Sequence, residues 1–114
     1  MRESQRLGRL DKNKQNVYSR IVIRSFADTE TQRFFETGKS RRMPRDILKR
    51  AAMRLLQLHA AVKLEDLRLP PSNRLEALKG GRAGQHSIRI NDQWRLCFRF
   101  ENGDAFDVEI ADYH

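Results

Sequence analysis

An α+β fold, with two helices packed on one face of an antiparallel sheet, is the class this sequence predicts. Three observations carry it. A short branched apolar run opens the patterned region at Ile21–Phe26. Two segments with helical spacing follow it, and the final third of the chain alternates apolar and polar residues through three successive runs. Strand, helix, helix and then an antiparallel meander is the order in which helices cover one side of a sheet.

Each element has a local reason. "IVIRSF" is rich in branched side chains and reads as a first strand. Asp28 is placed to cap a helix that runs through Thr29–Glu36, with Phe34 and Phe35 inside it, and stops at Gly38. Pro44 suits the first turn of a second helix from Arg45 to Ala61. Along that helix Ile47, Leu48, Ala51, Ala52, Leu55, Leu56 and His59 form an apolar stripe, which predicts packing on the core. A stripe of this kind also suits a membrane surface, but it lacks large aromatics and the strands need a cover.

"LRLPPSNRLEALKGGRAGQ" reads as an irregular connector. Pro70-Pro71 opposes regular structure, and Gly80, Gly81 and Gly84 allow sharp bends. His86–Ile90, Gln93–Phe100 and Ala105–Ala111 then alternate as strands. Asn91-Asp92 and Asn102-Gly103 stand where tight hairpin turns belong. Residues 1–20 show no sustained period and read as a flexible basic arm ahead of one domain at 21–114.

Charge narrows the class of partner. The 114 residues hold 23 Lys and Arg against 15 Asp and Glu, a net charge of +8. That excess points to an anionic partner, whether nucleic acid, a membrane surface or an acidic protein. It is concentrated early: residues 1–50 carry 14 basic and 6 acidic side chains, and residues 51–114 carry 9 of each. Cys97 is the single cysteine, so an internal disulfide and a cysteine zinc site are both excluded. No apolar run reaches the ~18 residues of a membrane span, and no secretory leader stands at the start. A cytoplasmic protein without membrane attachment and without a cofactor is the expectation.

Alternation sorts the strand residues into two faces. Ile88, Ile90, Trp94, Leu96, Phe98, Phe100, Phe106, Val108 and Ile110 make the expected core face. Ser87, Arg89, Asn91, Arg95, Cys97, Arg99, Asp107, Glu109 and, after a small register change, Asp112 make the other. Arginines opposite carboxylates commonly do no more than decorate a solvated face. Here the glycine-rich loop adds Lys79, Arg82 and His86, and the last strand runs straight into Asp112-Tyr113-His114. Cations for phosphate and aromatics for stacking describe a surface for single-stranded nucleic acid. RNA carries its own nucleophile, so cleavage would need only a proton acceptor, a cation for the phosphorane and a proton donor. No cluster of carboxylates with metal-ligating spacing is present. On residue types alone an RNA-binding module fits better than a nuclease.

The ordered elements "LKG", the Arg82-Ala83-Gly84 step, "SIRIN", "WR", "NGDA" and terminal "DYH" change that balance. Together with "IRSFADTETQRFFETG" and the long second helix, the chain from Ile21 to His114 resembles HigB-type toxins of the RelE/ParE superfamily, found in type II toxin–antitoxin systems. The resemblance implies a small microbial-RNase-like fold and metal-independent cleavage of mRNA in the ribosomal A site of the 70S ribosome. It further implies a HigA-type helix-turn-helix antitoxin, with operator DNA bound only through the antitoxin complex. Catalytic weight then falls on Asp112, Tyr113 and His114, with Arg95 after Trp94 and Lys79 of "LKG". Some relatives carry a His where this chain has Glu76, which makes Glu76 a candidate general base. Gly81 stands where many relatives have an acidic residue.

The implied roles are Arg95 and Lys79 on the transition-state phosphate, His114 as general acid or base with Asp112 complementary to it, and Tyr113 stacking on a base or positioning the phosphate. Arg82, His86, Arg89, Asn91 and Arg99 are expected to line the RNA path. Arg41, Arg42, Arg45 and Lys49, with Arg50, are expected to hold ribosomal RNA. A non-catalytic relative that poisons DNA gyrase, and a module that only binds nucleic acid, are the competing classes. The "DYH" ending argues against the gyrase branch.

Overall fold

The computed structural model describes residues 22–113. The arm expected at 1–20, Ile21 and His114 lie outside the described residues. Strands β1 (Glu76–Ala77), β2 (His86–Arg89), β3 (Trp94–Glu101) and β4 (Asp104–Asp112) form one antiparallel sheet in that spatial order. Helices α1 (Thr29–Thr37) and α2 (Leu48–Ala60) cover one face of it.

The helix boundaries follow the sequence signals. Asp28 is the N-cap of α1, its carboxylate accepting from Thr31 N at 2.6 Å. Gly38, at φ 75°, closes the helix by donating its N–H to Phe34 O at 2.7 Å. A single 3₁₀ turn, Arg45–Ile47, leads from Pro44 into α2. The buried stripe of α2 differs from the expected one. Ile47, Ala51, Leu55 and Leu58 are buried, whereas Leu56 is 62% exposed. Nine residues beyond Ile47 is about two and a half helical turns, so Leu56 emerges on the opposite side.

The expected first strand is an edge segment rather than a full strand. Ile23 and Phe26 make isolated parallel bridges to Ala105 and Val108 of β4. Four backbone hydrogen bonds of 2.7–3.1 Å hold it there, among them Ala105 N to Val22 O and Ala27 N to Val108 O. The ladder breaks because β4 bulges at Asp107, whose φ is 53° and whose N–H donates to Ser25 Oγ. The β3–β4 register shifts between Cys97 and Arg99 at the same place.

That bulge corrects one face assignment. Beyond it Ala105 is fully buried opposite Phe100, and Phe106 stands opposite Arg99. Phe106 therefore belongs to the face away from the helices, because one extra residue inverts the alternation. The Asn102-Gly103 turn has φ 52° and 85°, the two-residue hairpin geometry that this dipeptide favours. The β2–β3 turn is wider than a two-residue turn. Ile90 N and Asn91 N both bond Trp94 O, while Asn91 Oδ1 accepts from Gln93 N and Trp94 N.

Leu55, Leu58, Ile88, Leu96, Phe98, Val108 and Ile110 form the centre of the core, each at most 1% exposed. Burying such a side chain is worth roughly 1.5–3 kcal/mol. Three arginines lock the helix layer to the sheet: Arg42 Nη2 reaches Ile110 O (2.9 Å), Arg50 Nη1 reaches Ile90 O (3.3 Å) and Arg54 Nε reaches Arg89 O (2.8 Å). The connector is less irregular than expected, containing 3₁₀ turns at Leu64–Arg68 and Pro71–Asn73 and the short edge strand β1.

Candidate active site

The sheet face opposite the helices carries the polar side chains. Strand pairing lines up Glu76, Ser87, Cys97 and Glu109 across all four strands, and beside that row lie Arg89, Arg95 and Ala111. β1 is too short to announce itself in the sequence, yet it alone brings Glu76 into this row.

Arg95 is held from three sides. Its Nε donates to Ser87 Oγ at 2.6 Å, and its Nη2 donates to Arg74 O at 2.8 Å and lies 3.3 Å from Glu76 Oε1. Only 12% of its side chain is exposed, against 61% for Glu76. A planar guanidinium fixed this way is preorganised for an anion, with no reorientation needed when charge develops beside it.

Tyr113 extends the same face past the end of β4. Its N–H donates to Gln93 O at 2.6 Å, which keeps the chain paired with the β2–β3 turn. The phenol lies beside the Cys97 thiol. Burial, and then Cys97, push the Tyr113 hydroxyl up from its ordinary range, with Arg82 and Arg95 pulling the other way. Burial likewise pushes the Cys97 thiol up. Both groups are therefore neutral near pH 7. Cys97, which alternation placed on the face away from the core, is fully buried beside Tyr113.

Arg82 returns over the sheet from the glycine-rich loop. A 3₁₀ turn at Gly80–Arg82, with Gly80 at φ 62°, folds the loop back, and Leu78 N bonds Gln85 O across its base. Arg82 then pairs with Glu109 at 3.1 Å and Gln85 Oε1 at 3.0 Å. Burial opposes its charge, but Cys97 and Glu109 outweigh burial and raise its pKa. Lys79 stands exposed at the start of that turn.

Other predicted residues fall elsewhere. Asp112 pairs with Trp94, in phase with Ile110 and Leu96, because no register change occurs at this end of β4. It is thus on the helix-side phase, where its carboxylate accepts from Gln93 Nε2 at 3.1 Å. His86 is also in phase with Ile88, its ring stacked on Phe98 at 6.5 Å. Arg89 pairs with Asp92, and Asn91 is committed to the turn. Arg99 sits toward the opposite end of the face, paired with Asp107 at 3.2 Å. Arg42 is exposed but committed to Ile110 O and Asp28, and Arg41, Arg45 and Lys49 are exposed as well.

Ser87 and Glu109 had been placed on the correct face without a role. The signal available was a small hydroxyl and a carboxylate in phase with arginines on neighbouring strands. Among the described residues no three His, Cys, Asp or Glu side chains converge as a metal site would. No helix among them is long and apolar enough to cross a membrane.

Residues 24–114 match the family described as the RelE-like toxin of type II toxin–antitoxin system HigB. Among curated relatives, Toxin HigB-1 of Vibrio cholerae is 39% identical over 86 residues, covering 75% of this chain and 90% of that protein. Endoribonuclease HigB of Proteus vulgaris is 33% identical over 93 residues, covering 82% of this chain and all of that protein. Among solved structures, a chain of the YoeB–YefM complex from Staphylococcus aureus aligns over 83% of this chain and 98% of its own, at TM-score 0.49 and 19% identity. The chain belongs to the HigB family of RelE-like toxins of type II toxin–antitoxin systems, and its partner by that membership is an antitoxin.

Proposed function

We propose that this protein is a ribosome-dependent mRNA endonuclease that arrests translation, works without a metal ion and is neutralised in the cytoplasm by a HigA-type helix-turn-helix antitoxin. Operator DNA is then engaged only through the toxin–antitoxin complex. The curated relative named Endoribonuclease HigB supports the activity. The observation that carries it is Arg95, fixed by Ser87, Arg74 O and Glu76 on an otherwise open face.

The reaction divides among few groups. The RNA supplies its 2′-hydroxyl as nucleophile. Arg95, with Lys79 reaching in from the loop, stabilises the phosphorane. His114 and Glu76 share the two proton transfers, one taking the 2′-hydroxyl proton and the other giving a proton to the leaving 5′-oxygen. Tyr113, kept neutral, stacks on a base or donates to a phosphate oxygen. Asp112 is a positioning residue, holding the end of β4 through Gln93. Arg41 and Arg45 face ribosomal RNA.

The test is a cleavage assay on mRNA-programmed ribosomes, with transition metals chelated and magnesium held constant. The intact chain should cut, and removal of His114 alone should abolish cutting while thermal unfolding stays unchanged. Arg95→Lys should slow cutting by about 10²-fold, the scale expected when a preorganised donor is lost. Full activity without His114 would move both proton transfers to Glu76 and its neighbours. No cutting by the intact chain would end the nuclease reading.

A further inference from the structure

We propose that the cleft between the start of α2 and the β2–β3 turn is a second anion site, taking a backbone phosphate of the RNA strand whose scissile group lies at Arg95. The proposal rests on the RNA reading of the open face. It is a site of about 390 Å³, lined by Asp46, Lys49, Arg50, Met53, Ile90 and Asn91.

The cations here converge without a matching set of carboxylates. Arg54, only 4% exposed, places Nε on Arg89 O, and Arg50 places Nη1 on the next carbonyl, Ile90 O. Two guanidiniums thus cap consecutive carbonyls at the end of β2, with the Arg89 side chain on the same turn. Among the described residues, no ion pair involves Lys49, Arg50 or Arg54; Arg89 is paired with the fully exposed Asp92. Asp46 is the one acid lining the cleft. Burial and then repulsion from Arg50 and Arg89 disfavour the Arg54 charge. Arg54 does not line the cleft, but its charge, one helical turn from Arg50, adds to the positive potential there.

Position connects this cleft to the active site. Both are built on the Ile90–Gln93 turn: Ile90 and Asn91 line the cleft, and Gln93 O holds Tyr113 N. An RNA strand lying over Tyr113 reaches the cleft by crossing that turn. The chemistry there, the Arg50 guanidinium and the Lys49 ammonium with the buried Arg54 cation one helical turn from Arg50, is that of a phosphate clamp rather than of base readout.

Two arms test it on the full chain, with Arg50→Gln and Lys49→Gln as variants and Arg68→Gln, an exposed arginine outside the cleft, as control. Arg54 is left intact because its burial makes loss of fold the expected result. In the first arm, unfolding is followed in sodium phosphate and in sodium chloride of equal ionic strength. Phosphate should raise the Tm of the wild type and of Arg68→Gln, and raise it distinctly less in the two cleft variants. Equal stabilisation in all four, or none beyond chloride, overturns the site.

In the second arm, binding of a 2′-O-methyl oligonucleotide, which lacks the nucleophile, is titrated against salt. Arg50→Gln should weaken binding about 3–10-fold and lower the salt slope by about one. An unchanged affinity beside a positive phosphate arm overturns the RNA assignment and leaves a free-phosphate site. A wild type that binds no oligonucleotide overturns the RNA reading of the open face as well, while the phosphate arm still decides the cleft.

Discussion

The two faces of the sheet are both dry at their centres, but for different reasons. On the helix side Leu96, Phe98 and Ile110 are buried because α1 and α2 lie over them. On the open side Ser87 and Cys97 are equally inaccessible although no helix covers that face. Their cover comes from side chains: Arg95 bonds Ser87, and Tyr113 lies beside Cys97 with Arg82 close by, tied to Glu109. An apolar core is held by area and is indifferent to rotamer detail at its rim. A polar face buried under its own arginines is held by directed bonds, so it fixes the geometry of the groups that cover it.

The comparison breaks first at Phe98. Truncation to Ala removes a fully buried ring from the helix side and should cost roughly 3–5 kcal/mol, read by denaturant unfolding. Binding and activity should fall only in proportion to the folded fraction. A loss of activity in the fully folded population would mean that the helix side also shapes the site.

Ser87→Ala sharpens the contrast. It deletes the acceptor of Arg95 Nε and should change stability by only about 1 kcal/mol, because Arg95 retains Arg74 O and Glu76. Turnover should drop about tenfold with little change in KM, and Ser87→Thr, which keeps the hydroxyl, should restore most of it. Stability and turnover falling together, with no rescue by Thr, would make Ser87 a packing residue only.

The smallest effect is in the pH dependence. Cys97 and Tyr113 have folded-state pKa values raised above their ordinary ones, by burial first. The folded state therefore binds more protons than the unfolded state above the ordinary thiol range. Their contribution is fully present at neutral pH and is lost as pH rises beyond about 9. Tm measured from pH 7 upward should fall on that limb, and Cys97→Ala should make the fall shallower. Parallel curves for the two proteins would remove Cys97 from the account.

Much of this was legible locally. Asp28 and Gly38 bounded α1 because caps act through their own backbone neighbours, and Asn102-Gly103 announced its hairpin through its positive φ preference. Arg95, Cys97 and Glu109 were assigned to one face by simple alternation. The same reasoning failed where phase was lost. A bulge at Asp107 exchanged Phe106 for Ala105 in the core, and its absence near the end of β4 left Asp112 out of phase with Tyr113. Leu58 replaced Leu56 because the direction of a helix's buried stripe depends on what it packs against.

By itself, then, the sequence determined the fold class, the helix ends, the β3–β4 hairpin and the residue types of the open face, all of which depend on interactions a few residues apart. Tertiary structure alone decided that Glu76 joins the sheet through β1, that Ser87 and Arg74 O immobilise Arg95, and that Arg50 and Arg54 converge on the end of β2. Each of those brings together residues 8 to 40 positions apart in the chain. Such contacts exist only once strand pairing and helix packing have set the distances, and no local propensity encodes them.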